Sequence, residues 1–241
     1  MSRLRRMPRQ QPARPARRRS YDQFCATARA LDSVGDRWTL LIVRELLAGP
    51  RRYTDLHADL PGVSTDVLAS RLKDMEQSGL AVRRRLPPPA AASGYELTEH
   101  GRGLLPVLTA LAHWGAPALA ERRPTDAVRA HWFALPLLRA LDGLTGAGVI
   151  EVRLAEGQFH LRTGSEATAG EVYGYGPSGH PDACLVLGTE AALALARGEV
   201  TLAEAVEAGR VDVLGEGPLA GELRAGRPSC QRGEPGNSPV A

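Results

Sequence analysis

The chain has 241 residues, enough for two modest hydrophobic cores, and a formal net charge of +3. No apolar run approaches the roughly 20 residues that span a bilayer, so the composition predicts a soluble, cytoplasmic protein with no membrane partner. Three widely spaced cysteines (Cys25, Cys184 and Cys230) without a Cys-x-x-Cys pair argue against a zinc site or a disulfide framework.

Charge is divided unevenly along the chain. Residues 1–19 contain eight arginines and no acid, residues 20–120 contain eleven basic and eleven acidic residues, and residues 121–241 contain eleven basic and sixteen acidic residues. This division predicts a disordered basic arm at 1–19 and different partners for the parts that follow. A bias of the genome toward Arg, Ala, Gly and Pro would explain the arginine content equally well.

The first half of the chain is predicted to contain a helix-turn-helix followed by a hairpin. Apolar periodicity predicts helices at 21–34, 37–48, 54–60, 65–78 and 98–119, and paired strands at 80–86 and 94–97. Gly35 is expected in the left-handed conformation that ends the first helix, with Asp36 as the cap of the second. Expected caps of the later helices are Thr54, Ser64 or Thr65, and Thr98.

The helix predicted at 65–78 has an apolar face and a polar face. Leu68, Leu72 and Met75 form one stripe, whereas polar side chains lie half a turn away. A helix that reads the major groove needs polar groups near its N-terminal half. We therefore predict a DNA-binding surface of Ser64, Thr65, Asp66, Ser70, Arg71 and Lys73, with Arg83, Arg84 and Arg85 holding phosphate at the base of the hairpin. An ordinary amphipathic surface helix and a solvated arginine run are the alternatives.

Residues 21–120 resemble the HxlR family of bacterial regulators, which are winged helix-turn-helix proteins related to the MarR group. The resemblance rests on segments in family order and spacing: Cys25, Gly-Asp-Arg-Trp at 35–38, Leu-Ala-Gly-Pro-Arg-Arg-Tyr at 47–53, Leu-Pro-Gly-Val-Ser at 60–64, Leu-Ala-Ser-Arg-Leu-Lys at 68–73, Ser-Gly-Leu at 78–80 and Tyr-Glu-Leu-Thr-Glu-His-Gly at 95–101. It implies a homodimer that binds operator DNA and pairs through its N-terminal helix and its long helix. The uncharged hairpin tip, Pro87–Ser93, departs from the family, whose members often carry a charge there.

The resemblance also makes Cys25 a candidate redox sensor, because some relatives carry a sensing cysteine at this position. A sensing thiol needs exposure and a lowered pKa, for which Arg29, one turn further on, could supply positive charge. A small core residue is the alternative interpretation of Cys25.

The second half of the chain is predicted to form a smaller α+β domain. Its pattern indicates helices at 127–142, 189–197, 201–208 and 219–225, and strands at 149–154, 158–162, 171–175, 183–187 and 211–214. Thr189 and Thr201 are the expected caps of the second and third of these helices. Residues 182–223 resemble the sterol carrier protein fold through Asp-Ala-Cys-Leu-Val-Leu at 182–187, Leu-Ala-Arg-Gly-Glu at 195–199 and Ala-Val-Glu-Ala-Gly-Arg-Val-Asp-Val at 205–213. That resemblance implies an apolar tunnel for a lipid-like effector, although the domain could instead only support a dimer.

Together these patterns predict an α+β protein with four parts: a basic arm at 1–19, a winged helix-turn-helix domain at 20–120, a sterol-carrier-like domain at 125–226 and a flexible tail at 227–241. The predicted function is a bacterial transcription regulator that binds operator DNA as a homodimer, with a hydrophobic small molecule as effector. Known catalytic motifs are absent and His131, His160 and His180 are isolated, so neither an enzyme nor a cofactor or metal is expected. A lipid carrier that dimerises through its N-terminal half, or an enzyme built on the second domain, are the alternatives.

Overall fold

The computed structural model describes residues 20–85, 92–164, 167 and 171–225, so the predicted arm and tail lie outside the described residues. It divides into two compact units, residues up to Asp36 and residues from Arg37 onward. In the first unit, helix α1 (Ala26–Val34) begins later than predicted. Gly35 has a φ of −73°, so the expected left-handed conformation is wrong. The residue is instead glycine because a Cβ there would lie 2.6 Å from the Leu31 carbonyl oxygen.

Within the second unit, we call residues 37–120 the winged-helix region. Its elements are α2 (Thr39–Leu47), β1 (Arg51–Arg52), α3 (Tyr53–Asp59), α4 (Thr65–Gln77), β2 (Ala81–Arg85), β3 (Ser93–Leu97), α5 (Glu99–Arg102), α6 (Leu105–Gly115) and a 3-10 helix (Ala116–Ala120). The three strands form an antiparallel sheet in the order β1-β3-β2. The predicted helix-turn-helix and hairpin are therefore confirmed, at nearly the predicted bounds.

Of the helix caps predicted in the first half of the chain, two are confirmed and two are wrong. The Ser64 hydroxyl accepts from the Val67 N–H at 3.3 Å, and the Thr98 hydroxyl accepts from the Gly101 N–H at 3.1 Å. Asp36 and Thr54 are not N-caps, because α2 begins after Trp38 and α3 begins after Arg52. Both of these helices begin without a side-chain cap.

The helix predicted at 98–119 is broken into α5, α6 and the 3-10 helix. Gly103 and Leu104 separate the first two pieces, and a proline stands at the start of each of the last two, where its missing N–H costs least. By length and composition, Glu99–Ala120 is long and apolar enough to cross a membrane, with 11% of its most apolar stretch buried. A single stretch of this kind is weak evidence for a membrane span, and this one is divided into three short helices.

The C-terminal region, residues 121–225, contains a mixed five-stranded sheet. Its elements are a 3-10 helix (Ala130–Phe133), α7 (Ala134–Ala140), β4 (Gly148–Leu154), β5 (Gly157–Thr163), β6 (Tyr173–Tyr175), β7 (Ala183–Leu187), α8 (Thr189–Arg197), α9 (Leu202–Glu207), β8 (Val211–Leu214) and α10 (Pro218–Ala225). The strand order is β6-β5-β4-β7-β8, with β4 and β7 parallel and the other neighbours antiparallel. All five predicted strands are present. The helix predicted at 127–142 is shorter, and Gly188 rather than Thr189 is the N-cap of α8.

One face of this sheet forms the core of the C-terminal region. The side chains of Ile150, Val152, Phe159, Leu161 and Leu185 are buried there, and α7, α9 and α10 contact the strands. Helix α6 of the winged-helix region packs on α7, so the two regions share a contact along that helix pair.

Candidate nucleic-acid interface and its support

Helix α4 presents its predicted DNA-binding side chains to solvent. Its apolar stripe of Leu68, Leu72 and Met75 is buried, as the periodicity predicted. Ser64, Thr65, Asp66, Ser70 and Lys73 are all exposed on the other side. The helix N-terminus, with its free backbone N–H groups, lies at the same end and favours a phosphate oxygen.

Arg71 differs from the other predicted contacts on α4. It is half-buried, and its guanidinium lies 2.8 Å from Asp74 one turn further on. The Arg71 side chain therefore already has a carboxylate partner on its own helix. A phosphate contact by Arg71 would have to compete with Asp74.

The three arginines of strand β2 are exposed but not equivalent. Alternation places Arg83 and Arg85 on one face of the strand and Arg84 on the other. Arg84 approaches Glu96 at 3.5 Å, whereas Arg83 and Arg85 form no ion pair with any described residue. The hairpin tip at 86–91 lies outside the described residues. On this geometry Arg83 and Arg85 are the better phosphate contacts.

Cys25 is the exposed N-cap residue of α1. The backbone N–H groups of Ala28 and Thr27 lower the pKa of its thiol by hydrogen bonding to the thiolate. Arg29 was the predicted source of positive charge, but its guanidinium lies toward Asp32, at 3.7 Å. The start of the helix, and not Arg29, thus favours the thiolate.

A buried carboxylate in α2 connects the winged-helix region to the C-terminal region. Glu45 is fully buried, and its Oε2 lies 2.8 Å from Nε2 of His131. Trp132 Nε1–H donates to Glu45 Oε1 at 2.9 Å, and the Tyr175 hydroxyl lies 2.8 Å from Oε2. Arg44, the preceding residue, pairs with Oε1 at 2.7 Å. Burial alone would raise the pKa of Glu45, but the His131 hydrogen bond and the Arg44 charge outweigh it and lower that pKa to about 2.

A second connection lies at the end of α3. Asp59 Oδ2 accepts from Arg51 at 2.5 Å, and its Oδ1 accepts from Arg129 Nε at 3.1 Å. The Arg51 guanidinium also stacks on the Tyr175 ring, 3.9 Å from its centroid. Asp59, Arg51 and Tyr175 therefore extend the cluster around Glu45.

Glu45, Asp59 and His131 bring three potential metal-ligand atoms within 4.8 Å of one another. Their chemistry does not suit a cation, since the carboxylates already pair with guanidinium groups from Arg44, Arg51 and Arg129. We interpret the cluster as an ion-pair network between the two regions.

A cavity of about 540 Å³ lies where α6 meets the helices of the C-terminal region. Apolar side chains from five helices contribute to its wall: Ala112, Leu135, Leu195, Leu202 and Leu223. This volume falls within the range of small-molecule sites.

Comparison with known proteins finds relatives for the first half of the chain. The model of the HxlR-like helix-turn-helix family matches residues 33–123. An uncharacterized HTH-type transcriptional regulator of Bacillus subtilis, YvaP, is 37% identical over 86 residues, which cover 36% of this chain and 80% of that protein. The HTH-type transcriptional regulator YodB of the same organism is 35% identical over 85 residues, covering 35% of this chain and 76% of YodB. The solved structure of reduced YodB matches with 33% identity and a TM-score of 0.35, covering 39% of this chain and 92% of that one.

The sequence alone did not indicate the cluster around Glu45. His131 and Tyr175 lie 86 and 130 residues beyond Glu45 along the chain, and Glu45 follows Arg44 in a mostly apolar helix. The unusual signal was an acid inside that central apolar helix, since a buried carboxylate requires partners.

Proposed function

Because this chain belongs to the HxlR-like helix-turn-helix family of transcriptional regulators, we propose that it binds operator DNA as a homodimer. The exposed polar face of α4 carries this proposal, since its opposite stripe is buried and its N-terminus is capped by Ser64. One such helix from each subunit would enter successive major grooves about 34 Å apart. Ser64, Thr65, Asp66, Ser70 and Lys73 would contact or position base edges, with Arg71 at their flank. Arg83 and Arg85 would contact phosphate, and Arg84 would contribute less because it pairs with Glu96.

Exposed apolar side chains support the homodimer. Val107, Leu111 and Trp114 project from α6 into solvent, and Trp114 is 83% exposed. In the other unit, Phe24 and Leu31 are also exposed, on or beside α1. Apolar surface of this kind typically marks an interface. We assign the dimer contact to these two helices.

The test of DNA binding begins with a duplex selected from a random-sequence pool on the purified chain. The affinity for that duplex is then measured by fluorescence anisotropy for the wild type and for Ser70→Ala/Lys73→Ala. We expect the double variant to lose operator binding while its oligomeric state is unchanged. Arg210→Ala is the matched control, because it removes one exposed charge far along the chain from α4. Unchanged affinity in the double variant would contradict the assignment of α4.

We further propose that the C-terminal region takes a hydrophobic effector. A mixed sheet covered on one face by helices, together with the cavity beside α6, supports a sterol-carrier-like domain in this role. Native mass spectrometry of freshly purified protein tests it, since a retained apolar molecule would add a defined mass to the dimer. Tight retention of lipid without any DNA binding would instead favour the lipid carrier.

Cys25 is proposed as a redox-sensing thiol on the basis of its exposure and its lowered pKa. The expected consequence is a loss of operator affinity after treatment with peroxide, reversed by dithiothreitol and absent from Cys25→Ser. A Cys25→Ser variant that responds to peroxide like the wild type would refute this role.

A further inference from the structure

We propose that Glu45 is a positioning residue for DNA binding, through which the C-terminal region sets the geometry of the helix-turn-helix. The inference rests on the proposed operator binding and adds to it a group that lies away from the DNA-binding face. Glu45 would act through its neighbours and would not itself touch DNA.

The partners of Glu45 come mostly from beyond the family match, which ends at residue 123. His131 and Trp132 belong to the 3-10 helix before α7, and Tyr175 ends strand β6. The Tyr175 hydroxyl also lies 2.7 Å from the backbone carbonyl oxygen of Glu45. The C-terminal region thus holds both the side chain and the backbone of α2 at this point.

Further contacts from the C-terminal region reach α2 again and also α3, the first helix of the helix-turn-helix. The Tyr173 hydroxyl donates to the Arg44 carbonyl oxygen at 2.6 Å, so a second tyrosine of β6 holds the α2 backbone. Arg129 binds Asp59, the last residue of α3, immediately before the turn into α4.

Helix α4 is in turn tied to α3. The Tyr53 hydroxyl, at the start of α3, donates to the Thr65 carbonyl oxygen at the start of α4, at 2.8 Å. A shift of α2 and α3 relative to the C-terminal region would therefore move the N-terminal end of α4. That end carries Ser64, Thr65 and Asp66, three of the proposed base contacts.

A buried carboxylate enforces this geometry more strictly than an exposed one. Glu45 is removed from water, so its charge is tolerable only with its donors in place. Loss of one donor leaves an uncompensated charge or forces the surroundings to rearrange. The Glu45 carboxylate keeps all its hydrogen-bond partners only when α2 lies in this position against His131, Trp132 and Tyr175.

The test compares variants of the full chain on one selected duplex, at a temperature where circular dichroism shows each of them folded. Glu45→Gln removes the charge at nearly constant volume. Tyr175→Phe is gentler, because it removes one hydroxyl and keeps the ring beneath Arg51. Glu151→Gln is the matched control, since Glu151 is an equally buried carboxylate that is held by Arg153 and the Ser178 N–H within the C-terminal region.

We expect Glu45→Gln to raise the Kd for the duplex about fivefold or more, the scale of typical coupling between sites. Tyr175→Phe should raise the Kd in the same direction by less, and Glu151→Gln should leave it at the wild-type value. A wild-type Kd in both Glu45→Gln and Tyr175→Phe, or an equal loss in Glu151→Gln, would overturn the proposal. If Glu45→Gln does not fold, Tyr175→Phe decides the question by the same criterion.

A double-mutant cycle separates positioning from general destabilisation. If His131 acts on DNA binding through Glu45, then adding His131→Gln to Glu45→Gln should raise the Kd by less than the product of the two single effects. Independent, additive effects would overturn the shared role. Failure of the wild type to select or bind any duplex contradicts the proposed function itself, whereas wild-type binding with unaffected variants contradicts only this inference.

Discussion

Asp59 and Arg129, 70 residues apart in the chain, form an ion pair of 3.1 Å between the end of α3 and the first segment of the C-terminal region. The same carboxylate pairs with Arg51, and Arg51 stacks on Tyr175. Together with the hydrogen bonds to Glu45, this pair gives the contact two separate anchor points on the helix-turn-helix. Two anchor points restrict rotation of the helix-turn-helix as well as its translation, which a single contact could not do.

The low pKa of Glu45 predicts a specific dependence of stability on pH. A carboxyl group whose pKa falls from 4.5 to about 2 on folding stabilises the folded chain above pH 4.5, and this contribution is lost as the pH falls toward 2. Its full size is about 3 kcal/mol in the free energy of unfolding. Urea unfolding at pH 7, 5, 4 and 3 should show the wild type losing its advantage over Glu45→Gln below pH 4.5. A constant difference between the two down to pH 3 would contradict the assignment.

The wing arginines should differ in their contribution to salt-dependent DNA binding. Arg83→Ala and Arg85→Ala are each expected to reduce the slope of log K against log salt by about 1, because each removes one phosphate contact. Arg84→Ala should change the slope less, since Glu96 already pairs with Arg84. Anisotropy titrations at several salt concentrations measure these slopes. Equal slopes for all three variants would mean that pairing with Glu96 does not keep Arg84 from contacting phosphate.

The two described cysteines should react at different rates in the folded protein. Cys25 is exposed and hydrogen bonds lower the pKa of its thiol, whereas burial raises the pKa of the Cys184 thiol. Iodoacetamide at neutral pH should therefore alkylate Cys25 well before Cys184, as followed by peptide mass spectrometry. In denaturant the two rates should converge. Equal rates in the native protein would contradict the exposure and pKa assigned to Cys25.

Helices and strands were predicted well because apolar periodicity and helix caps depend on residues that are close together in the sequence. The stripe of Leu68, Leu72 and Met75 correctly gave the buried face of α4, and Thr201 forms the capping box that begins α9. Predictions failed where backbone geometry depended on tighter constraints, as at Gly35, whose hydrogen atom faces the Leu31 carbonyl oxygen. The cluster around Glu45 depends on tertiary contacts, and its one local sign was an acid inside the mostly apolar helix α2.

The exposed face of α6 predicts that single charges will separate the dimer. Burying a large apolar side chain at an interface contributes about 1.5–3 kcal/mol, and placing an unpaired carboxylate there costs at least as much. Leu111, 42% exposed, and Trp114 lie on α6, whereas Leu214 is an equally exposed apolar residue of β8. Size-exclusion chromatography with light scattering should therefore find Leu111→Glu and Trp114→Glu monomeric and Leu214→Glu dimeric. A dimer that persists in both α6 variants would place the interface on another surface. Each operator half-site needs one α4, so a different interface would also change the spacing of the two α4 helices on DNA.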